Sequence, residues 1–233
     1  MRLPHLHGVI RRRLLVNFRV DPDVLQERLP APFAPKLHDG AGIAGICLIR
    51  LEEIRPRRFP KLAGIASENA AHRIAVTWEG KEGVYIPRRD TGSLLNALAG
   101  GRLFPGEHHR ASFDVRDDGD AINLRMQSAG GAVRVEVSGR TASSLPPTSR
   151  FASIDEVSRF FEGGFLGYSA TTAGRKLDGV RLETKTWSVA PLAVEHVYSS
   201  WFESFPKGSV EFDCALVMRN IEHEGHAAEG IKT

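Results

Sequence analysis

Three side chains could share acid-base work if the chain around them is extended. Ile74, Val76 and Trp78 alternate with Ala75 and Thr77, and stepping back by twos along the same face reaches His72, Ala70 and Glu68. Phe113 and Ala111 alternate in the same way, and the next step back is His109, which leaves His108 and Arg110 on the other face. Successive side chains of a strand point to opposite faces, so Glu68, His72 and His109 are predicted to point inward with the apolar residues. In an apolar cavity, burial raises a glutamate pKa and a neighbouring carboxylate raises that of a histidine. That chemistry makes His109 the candidate catalytic acid/base, Glu68 its assistant and His72 a substrate-binding residue. Two imidazoles and a carboxylate could also hold a divalent metal; the simpler expectation assigns no metal and no cofactor. The competing reading leaves these residues facing solvent at strand ends, and one bulge would flip either set. Arg102 follows Gly100-Gly101 at the end of a predicted helix, where it would steer an anionic ligand or interact with the helix dipole.

The elements that must position these residues are mostly strands. Ser112 to Arg116, Ile122 to Gln127 and Val133 to Ser138 alternate apolar with polar residues and are joined by Gly-containing turns, which predicts an antiparallel meander with one wet face. Leu14, Val16, Phe18 and Val20 mark one face of an early strand, and Val210, Phe212, Cys214, Leu216 and Met218 one face of a late strand. Ile43 to Leu51 lack alternation, as expected of a strand covered on both sides. Helices are predicted to be few and short: Val24 to Leu29 behind Asp21 or Asp23, Leu94 to Ala99, and Ile154 to Phe161, with Ser153 as cap and Glu156 three residues on. The segment Leu145-Pro146-Pro147-Thr148-Ser149 reads as a linker, yet the later half has too few strands for its own core. Residues 1–222 are therefore expected to form a single, mainly β (α+β) barrel, antiparallel and partly closed, with residues 223–233 a frayed tail.

Composition excludes several classes. Of 233 residues, 42% are hydrophobic and 25% charged, near globular averages, and no apolar run approaches the length of a membrane-spanning helix. The net charge of +3 names no partner. Arg11 to Arg13 and Arg55 to Arg58 are short basic clusters flanked by apolar strand residues; they read as a solvated rim, with nucleic-acid binding the weaker alternative. Cys47 and Cys214 lie in apolar strand patterns and read as buried thiols. No signal-peptide pattern stands at the start, so the expected location is cytoplasmic, and the reading allows a homo-oligomer.

Several segments, taken in order, resemble the DUF2071 (YqjF-like) family of the acetoacetate decarboxylase-like superfamily. They are Phe18-Arg19-Val20-Asp21-Pro22 with Leu29-Pro30, Gly42-Ile43-Ala44-Gly45 through Arg55-Pro56, Ser67-Glu68-Asn69, Gly83-Val84-Tyr85, Gly101-Arg102-Leu103-Phe104, and Thr186 to Leu192. The resemblance implies a cone-like, partly closed β-barrel with a ligand cavity and helices at its side. In the decarboxylase branch a lysine forms a Schiff base with a keto acid, and a second lysine beside it depresses its pKa. Matched from Gly100-Gly101-Arg102 onward, that pair falls on His109 and Arg110, so the amine is missing and Arg110 becomes a substrate-binding candidate. Lys185 is the only remote lysine on a strand. The expectation is a small-molecule protein acting on a small keto acid without a Schiff base, by a lyase or hydratase step, or a ligand-binding barrel without catalysis.

Overall fold

The computed structural model describes residues 6–56, 65–93, 106–164, 166–170 and 176–232. Along the chain run β1 (Leu6–Val20), the short helix α1 (Pro22–Gln26), β2 (Ala34–Pro35), β3 (Leu37–His38), β4 (Ala41–Pro56), β5 (Ile65–Trp78) and β6 (Lys81–Thr91). Then follow β7 (His108–Asp117), β8 (Ala121–Ser128), β9 (Arg134–Thr141), helix α2 (Ile154–Glu162), β10 (Leu166–Ala170), β11 (Lys176–Thr184), β12 (Ala190–Ser199) and β13 (Val210–Lys232). The mainly-β expectation holds. Both predicted helices that fall on described residues form: the Asp21 side chain caps α1, and the Ser153 side chain accepts from the Glu156 backbone N–H to cap α2. The predicted helix Leu94 to Ala99 lies outside the described residues.

All thirteen strands join one sheet, in which the path β13-β1-β4-β5-β6 is shared by two rings. One ring returns from β6 through β10 and β11 to β13; the other returns through β7, β8, β9 and β12 to β13. The predicted meander is β7-β8-β9, antiparallel and in continuous register. The wholly antiparallel expectation needs correction, because β6 pairs parallel with both β7 and β10. Parallel neighbours need a long connection, and the chain between β6 and β7, and between β6 and β10, supplies it.

The frayed tail is also corrected. Beyond Glu222 the chain continues as strand to Lys232, paired with β11 from Thr184↔His223 to Lys176↔Lys232. These residues bury little by themselves, but without them β11 would keep an open edge. The Pro146-Pro147 segment is fastened to the sheet by the buried Asp213, which accepts from Ser149 Oγ at 2.7 Å and from the Arg150 backbone N–H at 2.9 Å.

The five shared strands have two covered faces. Leu14, Val16, Ala44, Ile46, Leu48, Ile74 and Val76 belong to one core, which β8 and β9 complete with Leu124, Met126, Val135 and Val137. Leu15, Ile43, Cys47, Ala75 and Leu216 face the other way, toward α2 with its Val157 and Phe161. This double cover is why Ile43 to Leu51 shows no alternation.

Candidate functional site

Strand phase is decided locally on β5 and β7. Opposite β5 the ladder slips between His72↔Arg88 and Ile74↔Tyr85, and the extra residue is on β6, where Ile86-Pro87 form a bulge. Proline lacks the N–H a ladder needs, so it is at home in such a bulge. β5 keeps its phase, and Glu68, Ala70, His72 and Ile74 share one face, as the sequence predicts; Ala70 and Ile74 stand in the first core.

That face is packed solid. His72 is 0% exposed; its Nε2 lies 2.9 Å from Ser199 Oγ and its ring centroid 5.0 Å from that of Trp201. Burial, helped by the nearby Arg88, pushes its pKa down to about 3, so the ring is neutral. Glu68 accepts from Arg12 Nη2 at 2.7 Å, Arg12 Nη1 lies 3.5 Å from Asp117, and Arg219 grips Asp117 with two hydrogen bonds of 2.8 and 2.9 Å. Glu68 and His72 are four strand positions apart, about 13 Å, too far to work as a pair. His109 is half-buried beside Asp90 in register and Arg110 is exposed. Arg102 lies outside the described residues. Glu68 and His72 are thus not a working pair, and among the described residues no cluster of three or more His, Cys, Asp or Glu could hold a metal ion.

The opposite face holds a cavity of about 170 Å³ inside the ring closed by β10 and β11. Its apolar wall includes Ile49, Leu51, Ala71, Ile86, Val180 and Leu182. Its polar wall is cationic or donor-rich: Arg13 from β1, Arg73 from β5, Arg89 from β6, His108 from β7 and His223 from β13, with the Cys47 sulfur of β4 among them. Asp90 also lines it, but both its oxygens are taken by Arg88, at 2.9 Å each. A wider cavity of about 580 Å³ shares Arg13, Gly164 and Leu182 with this one and adds Arg159, Arg181 and Lys185.

The hydrogen bonding of this wall is incomplete. Five buried side-chain nitrogens have no partner among the described residues, and three belong to residues that line the cavity: Arg73 Nε, Arg89 Nη2 and His223 Nδ1. An unmade bond from a buried donor costs about 1–3 kcal/mol. Arg73 is held by a hydrogen bond from Nη2 to Asn17 Oδ1 and by the Phe161 ring, 4.5 Å from its Cζ; Arg89 Nε donates to Ser169 Oγ at 3.2 Å. Burial lowers both guanidinium pKa values to about 10, which leaves them charged at neutral pH. Burial likewise pushes His108 down to about 4, with Arg89 contributing, and His223 to about 4, with His7 and Arg13 contributing. His108 Nδ1 lies 3.2 Å from the Gly106 carbonyl oxygen, which only accepts, so the neutral ring carries its proton there and its lone pair on Nε2.

Strand phase sets Glu68 and His72 on one face of β5 and Arg73 on the other, and the cavity lies on the Arg73 face. On β7 it places His108 opposite His109, and His108 lines the cavity. Arg73 carried a readable signal, a charged residue within the apolar stretch Ala70 to Val76. His223 lies beyond the residues that alternation marks as strand, and reaches the cavity because β13 continues past Glu222. The cluster Arg11 to Arg13 is not one patch: Arg11 pairs with Glu52 at 2.9 Å, Arg12 is buried against Glu68, and Arg13 lines the cavity. Lys185 pairs with Glu222 at the surface and lines only the outer cavity. Both cysteines are buried and free.

The family model of DUF2071, described as "Uncharacterized conserved protein", matches residues 9–208. No curated protein matches the sequence. Among solved structures, acetoacetate decarboxylase from Legionella pneumophila subsp. pneumophila str. Philadelphia 1 superposes with a TM-score of 0.66 at 10% identity, over 98% of this chain and 88% of that one. The enduracididine biosynthesis enzyme MppR complexed with pyruvate gives 0.66 at 13% identity, over 100% and 91%. An acetoacetate decarboxylase-like enzyme from Sphingomonas wittichii RW1 gives 0.62 at 12% identity, over 98% and 92%. At these identities the likeness is one of fold. Among the described residues no helix is long and apolar enough to cross a membrane.

Proposed function

The chain belongs to the DUF2071 family, and from that premise we propose that it binds a small organic acid, by its carboxylate, in the cavity on the Arg73 face. The observation that carries this reading is the pair of unpartnered buried guanidinium donors, Arg73 Nε and Arg89 Nη2, in a wall whose one described carboxylate is already taken by Arg88. A carboxylate completes those hydrogen bonds and offsets the buried guanidinium charges, where charge-assisted bonds are strong. A cavity near 150 Å³ takes a ligand of about six non-hydrogen atoms, the size of benzene or pyruvate, and this one is about 170 Å³. The complex of MppR with pyruvate supports the same ligand class by likeness of fold.

For a reaction on such an acid, His108 is the acid-base group we favour over His109 and Glu68. It lines the cavity and is neutral near pH 7, with Nδ1 set on the Gly106 carbonyl; a neutral imidazole takes a proton from a carbon activated by an adjacent carbonyl. A non-catalytic ligand-binding barrel is the second reading. It is favoured by the absence of any lysine among the described residues of the inner cavity, which leaves no Schiff-base amine there.

Calorimetric titration of acetate, pyruvate and 2-oxobutyrate tests the anion site. Wild type is expected to bind at least one of them, and Arg89→Met to lose about tenfold or more in affinity with a melting temperature unchanged or raised. No binding of any of the three by a folded wild type overturns the proposal. Following the C3 hydrogens of a bound 2-oxo acid by exchange with deuterated water then separates the two readings: exchange lost in His108→Gln supports the enzyme, and no exchange supports the binding barrel.

A further inference from the structure

We propose that Cys47 is a nucleophile of this cavity, one that adds reversibly to the carbonyl carbon of a small 2-oxo acid. The inference rests on the reading of the cavity as an organic-anion site and adds the reacting group. Cys47 stands on β4 with its side chain on the cavity face, 8% exposed and part of the lining. Arg13 Nε donates to its Sγ at 3.3 Å. Arg73 and Arg89, on the neighbouring wall, are both close enough for the sulfur to favour their charged forms. An electropositive, partly accessible surrounding is the setting in which thiols act as nucleophiles. The second, independent observation is Arg73, 3% exposed with Nε unpartnered among the described residues, lining the same cavity. A carboxylate held by Arg73 and Arg89 would deliver the adjacent carbonyl to the wall that carries the sulfur.

The step balances without a co-reactant. The S–C bond forms as the carbonyl π bond breaks, its electron pair moves to oxygen, and the proton leaving sulfur ends on that oxygen. The product is a hemithioketal isomeric with thiol plus oxo acid. Cys214 provides an internal contrast. It is 0% exposed, does not line the cavity, and is pushed up to about 12 by burial and by Asp213.

Two measurements on the native protein test the proposal. In the first, iodoacetate and iodoacetamide, each losing iodide to an attacking sulfur, are compared by quantifying each cysteine with peptide mass spectrometry. Labelling is expected at Cys47 and not at Cys214, with an iodoacetate-to-iodoacetamide rate ratio about tenfold above that of glutathione, since a cationic cleft concentrates anions. In the second, pyruvate labelled with carbon-13 at its carbonyl is observed by NMR; a protein-bound tetrahedral carbon signal is expected in wild type and absent in Cys47→Ser. Cys47 unlabelled, labelled without anion preference, or giving no bound tetrahedral signal overturns the inference. If pyruvate or acetate still binds calorimetrically in that case, the anion site stands and the nucleophile alone falls. If neither binds and no anion preference appears, both fall.

Discussion

His72 and Arg73 are consecutive residues on β5 and live in different solvents. His72 enters a core of Leu, Ile, Val and aromatic side chains, meets Ser199 through Nε2, leaves Nδ1 without a partner among the described residues, and stays neutral. Arg73 enters a cavity, keeps its charge, and has a donor without a partner among the described residues. Both are almost wholly buried, so burial alone does not distinguish them. The difference is what stands opposite. The ring through β8 and β9 brings large apolar side chains that fill its interior, whereas the ring through β10 and β11 brings Gly167, Val180 and Leu182 and leaves room. A close-packed face is a stability device; the face with space beside its charged, unmet guanidinium donors is the one on which the proposed ligand site rests.

The largest effect expected is with acid, and it divides the two faces. His72, His108 and His223 have folded pKa values of about 3, about 4 and about 4, below the unfolded value of 6.5. Between pH 6.5 and about 4 the unfolded chain binds more protons than the folded one, so stability rises with pH there and falls on acidification. With all three in that window the slope approaches about 4 kcal/mol per pH unit. Urea unfolding at stepped pH measures it, and an anion held in the cavity is expected to flatten the slope by raising the pKa values of His108 and His223 but not His72. Next comes Leu124→Ala, at a fully buried site of the packed ring, with an expected loss of about 3 kcal/mol and carboxylate affinity unchanged. Glu68→Gln removes one charge-assisted partner of the buried Arg12, while Asp117 remains; a loss of about 1–2 kcal/mol is expected, again without change in carboxylate binding. Smallest in stability is Arg89→Met on the cavity side. Removing a buried charge with an unmet donor is expected to leave stability unchanged or to raise it by about 1 kcal/mol, while binding is lost. A large destabilisation by Arg89→Met, or a loss of carboxylate binding in Glu68→Gln, would break the contrast between the faces.

The legible part of the fold was whatever a local pattern determines. The β7-β8-β9 meander, the Ser153 cap and the doubly covered β4 follow from alternation, hydrogen-bonding residue types and the lack of alternation. The parallel pairings of β6 and the docking of residues 223–232 on β11 depend on partners distant in sequence, which periodicity does not encode. The site was legible in half. Phase gave the correct partition of Glu68, His72 and His109 from Arg73 and His108, because the bulge fell on β6 and left β5 regular. Phase carries no information about which face is filled. The apolar side chains that looked like a cavity wall are those that fill the core, and Arg73, Arg89 and His223 were the residues whose burial needed another explanation.

If the cavity on the Arg73 side is an anion site, it also takes a halide. Crystals soaked in sodium bromide and measured at the bromine absorption edge test it most directly, because a halide marks carboxylate sites whatever the natural ligand is. An anomalous peak is expected within hydrogen-bonding reach of Arg73 Nε or Arg89 Nη2, and none beside His72. Bromide bound elsewhere on the protein, with water alone in that cavity, would contradict it.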